Sequence, residues 1–275
     1  MRAAVIQINS DSDVASNLER AEKLVRAAAS DGAELVCLPE KWALLGPGEV
    51  IASEAEPLDG PIVSAAAAWA LELGIHLCAG SVPEDPGDGG KPYNTSVLID
   101  SDGEITATYR KLHMFDVEVD GTEYRESEHE RAGEQLATAT AGELELGLTV
   151  CYDLRFPELF RILALRGATA FTVPAAFTAV TGRAHWEILL RARAVENSAF
   201  VIAAGQVGKA EPHYESWGHS MLVDPWGRVL AAVEDGEGQA CADLDLAELR
   251  RVRESLPSLA NRRADAYEWP VEAPV

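Results

Sequence analysis

The chain has 275 residues, 47% of them hydrophobic and 25% charged, with a formal net charge of −22 at pH 7. A surface this acidic argues against nucleic acid or an anionic membrane as partner, and the length allows one large domain or two small ones. The N-terminus is polar by residue 7 and no apolar run reaches membrane-spanning length. Cys37, Cys78, Cys151 and Cys241 show neither paired nor close spacing. The reading is a cytoplasmic protein with reduced thiols and no zinc site.

Strand-like and helix-like segments then alternate. "RAAVIQIN" reads as a strand. "DVASNLERAEKLVRAAAS" puts Val14, Leu18, Ala21, Val25 and Ala28 on one helical face, with Gly32 as a stop. "AELVCLPE" is a short buried strand, Pro61 opens a helix that runs to Gly74, and "IHLCAGSV" returns as a strand. Residues 81–92 are a turn-rich loop, after which "YNTSVLID", "SDG" and "EITATYRK" predict a hairpin. Residues 112–134 form a polar connection longer than a compact domain spends without a functional reason.

"ELELGLTV" is a strand ending at Cys151, followed by a helix from Pro157 to Gly167 and the strand "ATAFTVP". "RAHWEILLRARAVENS" is helical and "FVIAAGQV" is a strand. A meander around "DPWG" and a helix from Leu246 to Leu256 close the chain. The pattern predicts one α/β domain over residues 1–275 that mixes βα units with antiparallel hairpins. The last ~20 residues form a tail.

Three strand ends carry candidate chemistry. Cys151 sits at a strand-to-helix turn, where following N–H groups and a helix dipole favour a thiolate and can receive an oxyanion. Its alternative is a packing thiol, as expected of Cys37, Cys78 and Cys241. None of the six histidines is placed as an obvious base, although His113 follows "RK" at a strand end and His213 falls in a turn. Glu40 in "VCLPEKW" ends an apolar strand, where partial desolvation suits a general base; it could equally be a surface carboxylate beside Lys41. Lys111 in "TYRKLHMFD" is either an electrostatic stabiliser or a solvated lysine.

In this chain order, "LPE", "YRKLHMFD" and "CYDLRFPE" resemble the Glu-Lys-Cys motifs of the nitrilase superfamily of carbon–nitrogen hydrolases. The resemblance runs from "AAVIQINS" to "RRADAY". In "TGRAHWEILLRARAVENSAFVIAAGQVG" and "YESWGHSMLVDPWGRVL" it is closest to the Nit branch of amidases. It implies a four-layer α-β-β-α sandwich without metal or organic cofactor, a homodimer to which the tail contributes, and a small amide substrate. It further implies Glu40 as base, Cys151 as nucleophile, and Lys111 with the Tyr152 N–H as oxyanion donors. The loop motif "ES" selects Glu126 as the second glutamate, in a loop that also holds Glu123, Glu128 and Glu130.

Arg155 matches the family arginine that could clamp a substrate carboxylate; its alternative is a salt bridge to Asp153 or Glu158. Phe177, Thr181, Trp42 and His113 are candidate substrate contacts, Phe177 and Trp42 being equally readable as core. The implied substrates are deaminated glutathione or α-ketoglutaramate-type amides. An aliphatic amidase, an N-carbamoyl-amino-acid hydrolase, a nitrilase and a non-catalytic metabolite binder are the alternatives.

Overall fold

The computed structural model describes residues 1–210 and 214–268. The turn holding His213, and residues 269–275 of the expected dimer-contact tail, lie outside the described residues.

The chain begins with β1 (Arg2–Gln7), α1 (Val14–Ser30), β2 (Leu35–Cys37), α2 (Gly48–Ser53) and α3 (Pro61–Leu73). The strands β3 (His76–Glu84), β4 (Tyr93–Ile99) and β5 (Ile105–Arg110) follow. The hairpin β6 (Asp116–Val119) and β7 (Thr122–Arg125) precedes β8 (Thr138–Ala141) and β9 (Leu144–Leu148). Next come α4 (Pro157–Leu165), β10 (Ala170–Ala175), α5 (Ala179–Asn197) and β11 (Phe200–Gly205). A second small hairpin, β12 (Val207–Ala210) and β13 (Tyr214–Trp217), leads to β14 (Met221–Val223) and β15 (Val229–Ala232), and β16 (Gly238–Asp243) and α6 (Leu246–Ser255) end the series.

Two six-stranded sheets form the centre, in the orders β16-β1-β2-β3-β4-β5 and β15-β14-β11-β10-β9-β8. Alternation along β1 assigns the layers. Ala3 and Val5 join a core that includes Leu146, Leu148 and Val201 of the second sheet. Ala4 and Ile6 face the other way, onto Ala21, Val25 and Ala28 of α1 and Ala66 and Trp69 of α3. Both faces of the strand are covered, which is why it reads as an unbroken apolar run. Phe160 and Leu163 of α4 and Trp186, Leu190 and Ala194 of α5 cover the second sheet. The result is the four-layer α-β-β-α sandwich. Asp13 starts α1 by accepting the Ser16 N–H at 3.1 Å, a cap worth about 1 kcal/mol.

Three expectations need correction. The connection 112–134 contains β6 and β7 with a 3-10 turn at Glu126–Glu128, so it is folded back onto the body. The closing meander divides between sheets: β14 and β15 pair in the second sheet, whereas β16 crosses over and pairs antiparallel with β1. Finally, α5 begins at Ala179 and therefore contains Thr181 and Gly182, which sequence reading left in a loop. Gly182 is needed inside the helix because a Cβ there would lie 2.4 Å from Trp217 of β13.

Candidate active site

Strand direction brings the candidate residues to one place. β1, β2 and β3 are parallel, β4 reverses, and β5 reverses again, so β2 and β5 end on the same side of the sheet. Glu40 lies three residues beyond β2 and Lys111 one beyond β5. Cys151 lies three residues beyond β9, which runs parallel to β10 in the facing sheet. All three line a cavity of about 620 Å³ with Glu126, Tyr152, Arg155, Phe177 and Thr181.

Glu40 is buried and held on both carboxylate oxygens. Lys111 Nζ and Asn94 Nδ2 donate to Oε1 at 3.0 and 2.8 Å, and the Ala176 N–H donates to Oε2 at 2.8 Å. Gln206 Nε2 also fixes the Glu40 carbonyl at 3.0 Å. The surface-glutamate reading is thereby excluded, as is a solvated Lys111, which is 1% exposed. Lys111 Nζ donates to both Glu126 carboxylate oxygens, at 2.9 and 2.8 Å. Burial alone would lower the lysine's pKa, but Glu126 and Glu40 hold it well above its ordinary value. Glu126 is subject to burial in the opposite sense, yet Lys111 and Lys41 keep it below the usual carboxylate range. Phe115 N–H anchors its Oε2 at 2.8 Å.

Cys151 opens a 3-10 turn, Cys151–Arg155, with a left-handed backbone (φ 49°) that non-glycine residues adopt only where surrounding structure enforces it. The enforcement comes from Asp153, fully buried, whose Oδ2 accepts the Val150 N–H at 2.9 Å and the Tyr109 hydroxyl at 2.7 Å. The thiol is not depressed as the turn alone suggested. Burial pushes it well above its ordinary value, the Glu40 charge and hydrogen bond push further, and Lys111 offsets only part of this. The α-helix starts at Pro157, beyond the 3-10 turn that Cys151 opens. The resting pair is therefore a neutral thiol beside a carboxylate. Tyr152 N–H belongs to the first turn of the 3-10 segment, where N–H groups have no intrahelical acceptor.

Arg155 makes no ion pair with Asp153 or Glu158 among the described residues. Its guanidinium lies 5.1 Å from the Phe177 ring centre and 6.0 Å from that of Tyr152, with Nη1 3.3 Å from His185 Nδ1. Phe177 serves both readings, lining the cavity while contacting Trp186 at 5.2 Å between centroids. The Thr181 and Thr178 hydroxyls are 2.7 Å apart.

Two expected substrate contacts lie elsewhere. Trp42 is fully buried, tilted against Trp69 and bonded from Nε1 to the Ala79 carbonyl at 2.7 Å, so it is core. His113 directs Nδ1 to Asp153 Oδ1 at 2.7 Å and stacks on Phe156, which commits it to the nucleophile turn rather than the cavity. Sequence reading missed Asn94, Lys41 and Phe115. Lys41 was passed over as the mark of a surface, yet its Nζ is 2.7 Å from Glu130 Oε2 and 3.4 Å from Glu126 Oε1.

The carbon-nitrogen hydrolase family model matches residues 2–254. The chain belongs to the carbon-nitrogen hydrolase family. A deaminated glutathione amidase from Synechocystis is 41% identical over 94% of this chain and 97% of its own length. The human omega-amidase NIT2 is 37% identical over 99% of both chains. Saccharomyces cerevisiae Nit3, a member of branch 10 of the nitrilase superfamily, superposes with a TM-score of 0.87 at 32% identity, covering 97% of each chain. As a carbon-nitrogen hydrolase, the protein acts on carbon–nitrogen bonds other than peptide bonds, with the cavity at the strand ends as its candidate site.

Proposed function

We propose that this carbon-nitrogen hydrolase is a thiol-dependent amidase that removes the terminal amide of a small carboxylate-bearing substrate. The observation that carries the reading is a neutral Cys151 thiol on a left-handed turn, in contact with the Glu40 carboxylate. Glu40 takes the thiol proton as sulfur attacks the amide carbon. Lys111 and the Tyr152 N–H receive the oxyanion, placing donors where negative charge develops. The carbon–nitrogen bond breaks as Glu40 passes its proton to the departing ammonia, which leaves a thioester on Cys151. Water enters, Glu40 removes its proton, and the carboxylic acid leaves as the thiol is restored. Glu126 holds the Lys111 ammonium throughout.

For the acid end of the substrate, Arg155 offers a guanidinium on the cavity wall with no carboxylate partner among the described residues. Together with the relatives, this favours an α-ketoglutaramoyl group, free or as the end of deaminated glutathione. Ammonia release from α-ketoglutaramate, deaminated glutathione, a carbamoyl amino acid and a nitrile tests the reading. Turnover of the first pair with an acyl adduct of matching mass on Cys151 supports it. Turnover of the carbamoyl compound alone sinks it.

The assembly is read as a cytoplasmic homodimer of a single domain spanning residues 1–275. Exposed Ile188 and Val195 on α5, which share a surface hollow with exposed Trp226, support a partner surface. Among the described residues, no helix is long and apolar enough to cross a membrane. Light scattering after gel filtration tests the stoichiometry.

A further inference from the structure

Lys41 and Glu130 have no part in the reaction as written, yet both line its cavity. Glu130 is 2% exposed. Its Oε2 accepts from Lys41 Nζ at 2.7 Å, while Oε1 has no donor among the described residues. The same ammonium lies 3.4 Å from Glu126 Oε1, so two carboxyl groups converge on Lys41 Nζ. Two ionised carboxylates held on one buried ammonium repel each other, and the repulsion is relieved when one acid keeps its proton. Glu126 cannot be that acid, because both of its oxygens already accept from Lys111 and one accepts the Phe115 N–H.

The ionisable groups gathered around Glu130 are Glu40 and Lys41 beyond β2, Lys111 beyond β5, Glu126 from the loop and the neutral Cys151; Glu49, Glu123, Arg125 and Glu128 line the same cavity as exposed groups, and His129 and Arg155 as half-buried ones. Within the hydrogen-bonded set, three carboxylates (Glu40, Glu126, Glu130) face two ammoniums (Lys41, Lys111). One proton makes the buried cluster neutral.

We propose that Glu130 stores that proton, and that with Lys41 it is a positioning pair governing the affinity of the site for anionic substrates. Burial and the neighbouring Glu126 charge raise Glu130 to about 7 against the pull of Lys41, which places the change of charge at neutral pH. Below that point the cluster is neutral and admits a carboxylate. Above it, Glu130 loses its proton to solvent, and the extra negative charge opposes the substrate's own. No bond to substrate is made or broken by Glu130.

The kinetic part rests on the amidase reading; the proton does not. Infrared difference spectra of the whole protein, wild type minus Glu130→Gln, are expected to contain a protonated-carboxyl band that fades as pH rises through about 7. In Lys41→Met the band should persist at least one pH unit higher, since the cation that draws the proton off is gone. A wild-type spectrum with no such band, or a Lys41→Met midpoint equal to wild type, overturns the proposal.

In kinetics, KM for α-ketoglutaramate should climb several-fold between about pH 6 and about pH 8 in wild type and stay flat in Glu130→Gln. A neutral aliphatic amide should show no climb in either. An equal climb in both proteins overturns the role in affinity. If no amide is turned over, the function has failed while the infrared result still decides the proton.

Discussion

Glu40 and Lys111, which are 71 positions apart in the chain, meet at 3.0 Å with almost no solvent on either side chain. Their pairing determines how the thiol must be activated. Lys111 is the cation beside the sulfur, but its charge is already engaged by two carboxylates, so Cys151 keeps its proton until Glu40 removes it.

Glu40→Gln is therefore expected to move two observables in opposite senses. Removing the negative charge and the hydrogen bond beside Cys151 lowers the thiol pKa, visible as thiolate absorbance appearing at lower pH. Amide turnover nevertheless falls by about 10²- to 10⁴-fold, because the proton-transfer partner is gone. A variant with raised thiolate content and undiminished turnover would remove Glu40 from the reaction.

Cys151→Ala should abolish ammonia release, a loss of at least about 10³-fold, and should prevent any acyl adduct in intact-mass spectra. Near-wild-type turnover would exclude the thiol route. Asp153→Asn leaves the sulfur in place but disturbs the bonds to Val150 and Tyr109 that hold its backbone, so kcat should fall while binding of an unreactive carboxylate analogue stays within about threefold.

Arg155→Met is expected to raise KM for α-ketoglutaramate about 10- to 100-fold, the range for losing one charge-assisted hydrogen-bonded pair. A neutral amide of similar length should change far less. Equal loss on both would make Arg155 a packing residue of Phe177 and Tyr152.

Thermal stability should carry the opposing signatures of the two loop glutamates. Glu130 titrates higher in the folded protein than its ordinary 4.5, so its protonated form is favoured by folding. Stability from that group is full below about 4.5 and declines up to about 7, a change of roughly 3 kcal/mol at most. Glu126 titrates lower than 4.5, and its contribution is present above that value and lost as the medium is acidified. The Tm of Glu130→Gln relative to wild type should accordingly increase on going from pH 5 to pH 8, to about the extent the buried charge costs. A pH-independent difference would contradict the raised Glu130.

Much of this arrangement was legible in the chain. The alternation along β1, the proline-led α3 and α4 and the strand-end positions of Glu40, Lys111 and Cys151 are local properties that survive into the fold. Lys41 was not legible, because one lysine after a glutamate reads as solvated until a loop 85 positions away brings Glu126 over it. Thr181 was misplaced because the helix was read from Arg183 onward, whereas it starts at Ala179, with Gly182 making room for Trp217. Trp42 and His113 carried aromatic and imidazole chemistry next to functional residues, but neighbouring positions on a tight turn point different ways. The direction of the Cys151 shift depended on burial, which no local pattern reports.

The crossing of β16 has a consequence for how the molecule is made. β1 is synthesised long before β16, yet among the described residues it is Gly238–Asp243 that pairs its outer edge. Until those residues are released, Arg2–Gln7 presents unpaired backbone groups along an apolar strand, an invitation to pair with another nascent chain. A polypeptide truncated after residue 233 would retain Glu40, Lys111 and Cys151 and still leave that edge open. Its fate should be aggregation rather than a weakened enzyme.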